Sequence, residues 1–220
     1  MLTRIAGVLL AAGGGSRFGQ PKALVELDGM TFAERAVALL RAGGTDPVLV
    51  VTGAVPVEVA DVRIVHNPDW RTGMGSSVRA ALCALSEPAS PGKSESDVAA
   101  AVIALVDQPL VGAAAVRRLI DAYRAGASVA VAGYHGQPRN PVLIAREHWA
   151  DVIATATGDS GARAFLRARP ELVTLVECGD TGSPDDVDTP ADLVRVTSHI
   201  RSKPGPAPAP DSTLRGRGPG

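Results

Sequence analysis

Three glycines and two cations at the end of an apolar run are the first residues in this chain that could do chemistry. The run over residues 5–12 stops at Gly13-Gly14-Gly15, and Arg17 and Lys22 follow within nine residues. Glycines let main-chain N–H groups approach an anion closely, and cations add charge, so the pattern reads as a buried strand entering a phosphate-cradling loop. A glycine-rich surface turn would not need Arg17 and Lys22 so placed. The implied ligand is a nucleoside triphosphate. A Walker A loop is excluded because Gln20 and Pro21 separate Gly19 from Lys22, and Ala23 follows where a hydroxyl should bind Mg²⁺. A dinucleotide fingerprint also fails: Phe18 stands where the third glycine belongs, and the second strand ends in Thr52-Gly53 without an acid.

Three further stretches carry candidate chemistry. Asp107-Gln108-Pro109 directly follows a long apolar run, so Asp107 lies at a strand's carboxyl end, where a carboxylate can hold Mg²⁺ across phosphates. Capping of the next helix by Asp107 is disfavoured, because that helix begins some five residues later. In Asp185-Asp186-Val187-Asp188-Thr189-Pro190, alternation puts Asp186 and Asp188 on one side of an extended segment. One of them could complete a metal site with Asp107; equally, Asp188 or Thr189 could be the N-cap of the last helix. The stretch from Asn67-Pro68 to Ser76-Ser77 runs from a strand end into a helix and offers N–H and O–H donors, to an anion or a base edge or merely to a cap. Finally, Gly158-Asp159-Ser160-Gly161-Ala162-Arg163 puts an arginine in a first helical turn. The helix dipole disfavours a cation there, unless an anionic partner offsets it or the side chain is simply solvated.

The elements that must position these residues alternate. Strands are expected over 5–12, 48–51, 62–65, 98–106, 128–132, 142–144 and 172–176, and helices over 31–42, 76–85, 113–124, 146–155, 160–169 and 190–200. Thr31 with Glu34 forms a capping box, and Gly43-Gly44 ends that helix. This order predicts a three-layer α/β fold with a mostly parallel sheet, in which ligands sit at the carboxyl ends of the strands. A polar loop is expected over 86–97. One domain is expected over 1–202, followed by a Pro/Gly-rich disordered tail over 203–220. A net charge of −1 and 3% aromatics argue against nucleic acid or an anionic membrane as partner. Apolar runs are too short to span a bilayer, and the start lacks the length and cleavage site of a secretory signal. Cys83 and Cys178 are isolated, as in a reduced, cytoplasmic protein.

Taken together, the four stretches resemble the nucleotidyltransferases that mature the molybdenum cofactor, most closely the cytidylyltransferase type, over residues 4–200. The segment from Leu10 to Gly13, with Arg17, Gly19 and Lys22, is similar to the family's triphosphate loop. Asn67, Ser76 and Ser77 fall in its nucleotide-side loop, Asp107 and Asp188 match its metal aspartates, and Asp159 and Arg163 lie in a segment on the acceptor side. Gly136-Gln137-Pro138-Arg139 is a looser match. The resemblance implies a Rossmann-like nucleotidyltransferase fold and CMP transfer from CTP to the terminal phosphate of molybdopterin, with Mg²⁺, or Mn²⁺ in its place. Ala11 to Gly15, Arg17 and Lys22 would hold the nucleotide; Lys22, Arg17 and Asp107 would be catalytic. Ala12, where guanylyl enzymes carry glycine, points to CTP. Transient contact with a molybdoenzyme is also implied. Guanylyl transfer to the same cofactor, nucleotidyl transfer to another small phosphate, and a non-catalytic pterin-handling protein are the alternatives.

Overall fold

Strand β1 (Arg4–Leu10) is apolar on both sides because both its faces are covered. Ile5 and Leu9 enter one core, while Ala6, Val8 and Leu10 enter the other. The computed structural model describes residues 3–87 and 98–202. The remaining elements are β2 (Glu26–Leu27), β3 (Met30–Thr31), α1 (Phe32–Ala42), β4 (Val48–Thr52), β5 (Arg63–His66), α2 (Met74–Ser86), β6 (Val98–Leu105), α3 (Ala113–Arg124), β7 (Val129–Tyr134), β8 (Gln137–Ala145), α4 (Trp149–Thr155), α5 (Arg163–Ala168), β9 (Val173–Glu177) and α6 (Pro190–Ser202). Most of the expected loop over 86–97 and all of the expected tail lie outside the described residues.

Seven strands form one sheet in the order β5-β4-β1-β6-β8-β7-β9. All neighbours run parallel except where β8 pairs with β6 and β7. The mostly parallel sheet predicted from sequence is therefore present, and β8 alone breaks the parallel run, making it mixed. Its direction follows from a tight turn: His135 and Gly136 have φ of 53° and 73°, the left-handed pair that joins two antiparallel strands. The residues from Gln137 to Arg139, expected to precede a short strand, already pair with β7. A second hairpin, β2–β3, was not expected. Its turn, Asp28-Gly29, is a recognised hairpin signal.

Helices cover both faces. Phe32, Val37, Leu40, Val116, Leu119 and Ile120 pack from α1 and α3 on one side. Val78, Leu82, Leu85, Trp149, Val152 and Phe165 pack from α2, α4 and α5 on the other. Each such fully buried side chain contributes about 1.5–3 kcal/mol. The capping box on α1 forms as its residues predict, with the Glu34 N–H donating to Thr31 Oγ1 and the Thr31 N–H to Glu34. Among the described residues no helix is long and apolar enough to cross a membrane. The carboxyl ends of β1, β5 and β6 lie on one edge, which brings the candidate stretches together.

Candidate functional site

The glycine loop leaves β1 still tied to the sheet. Ala11 donates to Val51 O at 2.9 Å and Ala12 accepts from Ala54 N–H at 3.0 Å. Ala11 is packed into the core, whereas Ala12 lines a cavity of about 380 Å³ together with Gly13, Gly14, Gly15 and Arg17. The amides of Gly13, Gly14 and Gly15 donate to no backbone carbonyl among the described residues, so they are available to an anion. Gly15 closes the loop with φ of 65°, and its carbonyl accepts from Phe18 and Gly19. A Cβ there would stand 1.8 Å from the Gln20 carbonyl oxygen, so no side chain fits.

Lys22 enters the same cavity from a short 3-10 turn. Its Nζ lies 2.9 Å from Asp107 Oδ2 and 2.5 Å from Asp188 Oδ1. Burial works against the ammonium charge, but the bonds to Asp188 and Asp107 outweigh it and hold Lys22 above its ordinary value. Arg17, mostly exposed, stands 3.6 Å from the other oxygen of Asp188. One ammonium thus gathers two carboxylates that are far apart in sequence.

The acidic stretches are locked to each other. Val187 N–H donates to the Asp107 carbonyl at 2.8 Å. The buried Gln108 amide donates to Pro184 O and Asp186 Oδ1, both at 2.9 Å. Of the two aspartates expected on one side, only Asp188 meets Lys22; Asp186 is taken by Gln108. Burial and the nearby Asp107 and Asp188 push the Asp186 carboxyl up, despite the Gln108 bond. The capping reading of this stretch holds at Thr189, and Asp188 is left beside Lys22. Thr189 caps α6 through reciprocal bonds with Asp192, and Asp188 is thereby free to face the cavity. Asp107 caps nothing, since Gly112 is the N-cap of α3.

The stretch from Asn67 to Ser77 divides in two. Asn67 is buried and donates to Ser76 Oγ at 2.8 Å and Ser77 Oγ at 3.0 Å. Ser76 turns back to the Gly73 and Asp69 carbonyls. Asn67 and Ser76 therefore shape the loop and do not line the cavity, which Ser77 does. Helix α2 begins at Met74, earlier than its apolar periodicity suggests, and its N-terminus faces the cavity. Gly73, with φ of 106°, lies so close to the next segment that a Cβ would be 2.4 Å from Gly158 C. That contact brings Asp159 to the cavity wall.

Asp159 and Arg163, paired by sequence, face different spaces. Arg163 lines a second cavity of about 770 Å³, with Val131, Val142 and Val173 as an apolar floor. Arg139 and Arg167 line it too, and none of the three arginines makes an ion pair among the described residues. Two first-cavity groups were not singled out from sequence. Trp70 lies across Gly14 and Gly53, where a Cβ would crowd it at 3.2 Å and clash with it at 2.6 Å, and the Arg71 guanidinium stacks 4.4 Å from its ring centroid. A lone tryptophan within a glycine-rich loop was the available signal.

Among the described residues no group of three or more His, Cys, Asp or Glu side chains is placed to hold a metal. Asp107 and Asp188 still suit Mg²⁺ or Mn²⁺. They are hard oxygen donors around a point that already stabilises positive charge, and Mg²⁺ commonly takes one or two carboxylates with phosphates and water.

Residues 7–173 match the MobA-like NTP transferase domain. A nicotine blue oxidoreductase from Paenarthrobacter nicotinovorans is 37% identical over 87% of this chain and 96% of its own. A probable molybdenum cofactor guanylyltransferase from Bacillus cytotoxicus is 35% identical over 32% of this chain and 37% of its own. Among solved structures, the homolog of Mycobacterium tuberculosis Rv0371c from Mycobacterium sp. strain JC1 superposes with a TM-score of 0.76 at 29% identity, covering 91% of this chain and 98% of that one. Rv0371c in complex with manganese, from M. tuberculosis H37Rv, superposes at 0.66 with 26% identity, covering 89% and 99%. The matched domain spans the glycine loop, the Asn67–Ser77 loop and Asp107, and on this ground the chain belongs to the family of MobA-like NTP transferases.

Proposed function

We propose that this protein transfers CMP from CTP to the terminal phosphate of a molybdopterin-type cofactor. The observation that carries the reading is Lys22 held between Asp107 and Asp188 beside three unpaired glycine amides. Acceptor phosphate oxygen attacks the α-phosphorus, a new P–O bond forms, the bond to the β-phosphate oxygen breaks, and pyrophosphate leaves. The nucleophile is anionic at neutral pH, so no general base is required, and positioning and charge neutralisation suffice. The amides of Gly13 to Gly15 cradle the triphosphate, and Lys22 and Arg17 hold its β- and γ-phosphates. Asp107 and Asp188 are the residues that would hold Mg²⁺ or Mn²⁺, and such an ion would offset charge on the α-phosphate and the leaving group. The manganese complex of Rv0371c supports divalent-metal use among similar proteins.

Ala12 lines the first cavity and, as the resemblance implies, supports cytosine over guanine, since a methyl against the base would exclude the larger purine. One methyl is worth about 1–3 kcal/mol of selectivity. Asn67 and Ser76 act by shaping the nucleotide-side loop, and Ser77 is its donor to the ligand. Asp159 closes the nucleotide side near α2, while Arg163 belongs to the acceptor side with Arg139 and Arg167, three cations against Asp185 and Asp186 in the same lining, a balance that suits an anionic acceptor. The test is pyrophosphate release with each of the four nucleoside triphosphates in the presence of molybdopterin and Mg²⁺. CTP should be preferred, and preference for GTP would move the reading to guanylyl transfer.

A second reading rests on the relative named for oxidoreductase activity, with its 37% identity over nearly its whole length. Under that reading the first cavity takes an electron donor in place of a triphosphate. Reduction of an organic dye by a supplied two-electron donor, and no pyrophosphate release, would favour it.

A further inference from the structure

We infer that Lys22 controls the order in which metal and nucleotide enter: its ammonium occupies the place between Asp107 and Asp188 that a divalent ion bound to both would need. The inference rests on the metal assignment proposed above and goes beyond the phosphate-holding role given to Lys22. Nζ is 2.9 Å from one carboxylate and 2.5 Å from the other, so the two oxygens are no farther apart than these bonds laid end to end. Mg²⁺ binds oxygens at about 2.0–2.1 Å, so an ion on both carboxylates would have to lie on or beside the ammonium position. Two cations cannot share that point, and like charges there repel strongly in a part-buried setting.

Lys22 is also well held. Its side chain is 14% exposed and both carboxylates are fixed from behind, Asp107 through the Val187 bond to its backbone and Asp188 through the Asp192 bond to its N–H. A free divalent ion therefore has to displace a charge-assisted double contact. A triphosphate changes the balance. Its β- and γ-oxygens offer Lys22 a new partner next to the glycine amides and bring their own negative charge. Lys22 then swings from carboxylates to phosphate, and the metal takes the vacated oxygens. Metal entry is coupled to nucleotide, and the carboxylate pair stays neutralised without it.

The test is Mn²⁺ binding to the intact protein, followed by electron paramagnetic resonance and equilibrium dialysis without nucleotide. Wild type should bind Mn²⁺ weakly. Lys22→Met should bind it about tenfold or more tightly, the loss expected when one charge-assisted competitor is removed. Lys22→Arg keeps the charge and should behave like wild type. Lys22→Gln carries the same comparison if the methionine protein does not fold. Saturating CTP should raise Mn²⁺ retention by wild type to that of Lys22→Met. If Lys22→Met binds no more tightly than wild type, yet adding Asp107→Asn removes its Mn²⁺, the ordering inference falls and the metal assignment stands. If Asp107→Asn and Asp188→Asn leave Mn²⁺ binding of Lys22→Met unchanged, the metal assignment itself falls.

Discussion

The two cavities beside the sheet are built by different means. In the first, backbone does most of the shaping: glycine amides, a helix N-terminus and a Gly15 turn that admits no side chain. Its cations are each engaged, Lys22 and Arg17 with carboxylates and Arg71 on the Trp70 ring. The second cavity is an apolar floor rimmed by side chains, and its three arginines make no ion pair among the described residues, although Asp185 and Asp186 share the lining. A ligand half that depends on backbone tolerates little change, because every alteration moves the fold. A half that depends on exposed side chains can be retuned one residue at a time.

Substitutions can break this contrast. The largest effect is expected from Asp107→Ala, which should lower kcat for nucleotidyl transfer about 10³-fold while leaving the circular dichroism unchanged. Near wild-type turnover would remove Asp107 from the site. Gly15→Ala comes next. The new Cβ meets the Gln20 carbonyl in a left-handed backbone, at a cost of about 2–4 kcal/mol. Thermal unfolding should report that loss and calorimetry a weaker grip on CTP.

The second cavity should respond otherwise. Arg163→Ala with Arg167→Ala should raise KM for the anionic acceptor about tenfold and leave the Kd for CTP and the melting temperature alone. A matching loss of CTP affinity would show that the two cavities are not separable. The smallest effect concerns the Asp188 anchor. Bonds from the Thr189 side chain and backbone hold the Asp192 carboxyl below its ordinary 3.8. A depressed carboxylate contributes stability above that ordinary value and loses it as pH falls through the depressed one. Melting curves of wild type and Asp192→Asn should therefore differ at neutral pH and converge in acid.

Legibility differed between the two halves for the same reason. The triphosphate loop could be read because its determinants are adjacent: an apolar strand, three glycines and two cations within a few turns of chain. The fold class could be read because strand and helix periodicities alternate. The β2–β3 hairpin and the full length of β8 escaped because short or partly exposed strands carry a weak apolar pattern. Asn67 and Ser76 looked like ligand donors because residue type cannot tell a hydroxyl facing a cavity from one satisfied by its own loop.

By itself the sequence determined the local pieces: the Thr31–Glu34 capping box, the run of β1 into glycine, and a start of α6 at Asp188 or Thr189. Each depends on propensity and hydrogen bonds among near neighbours. Only the tertiary structure decided that Lys22 meets carboxylates 85 and 166 positions away, that Gln108 claims Asp186, and that Asp159 and Arg163 face different cavities. Those outcomes follow from how the sheet orders its strands and where the loops at their carboxyl ends converge. No local periodicity encodes that convergence, because the contacts form between segments that share nothing but a place on the same edge.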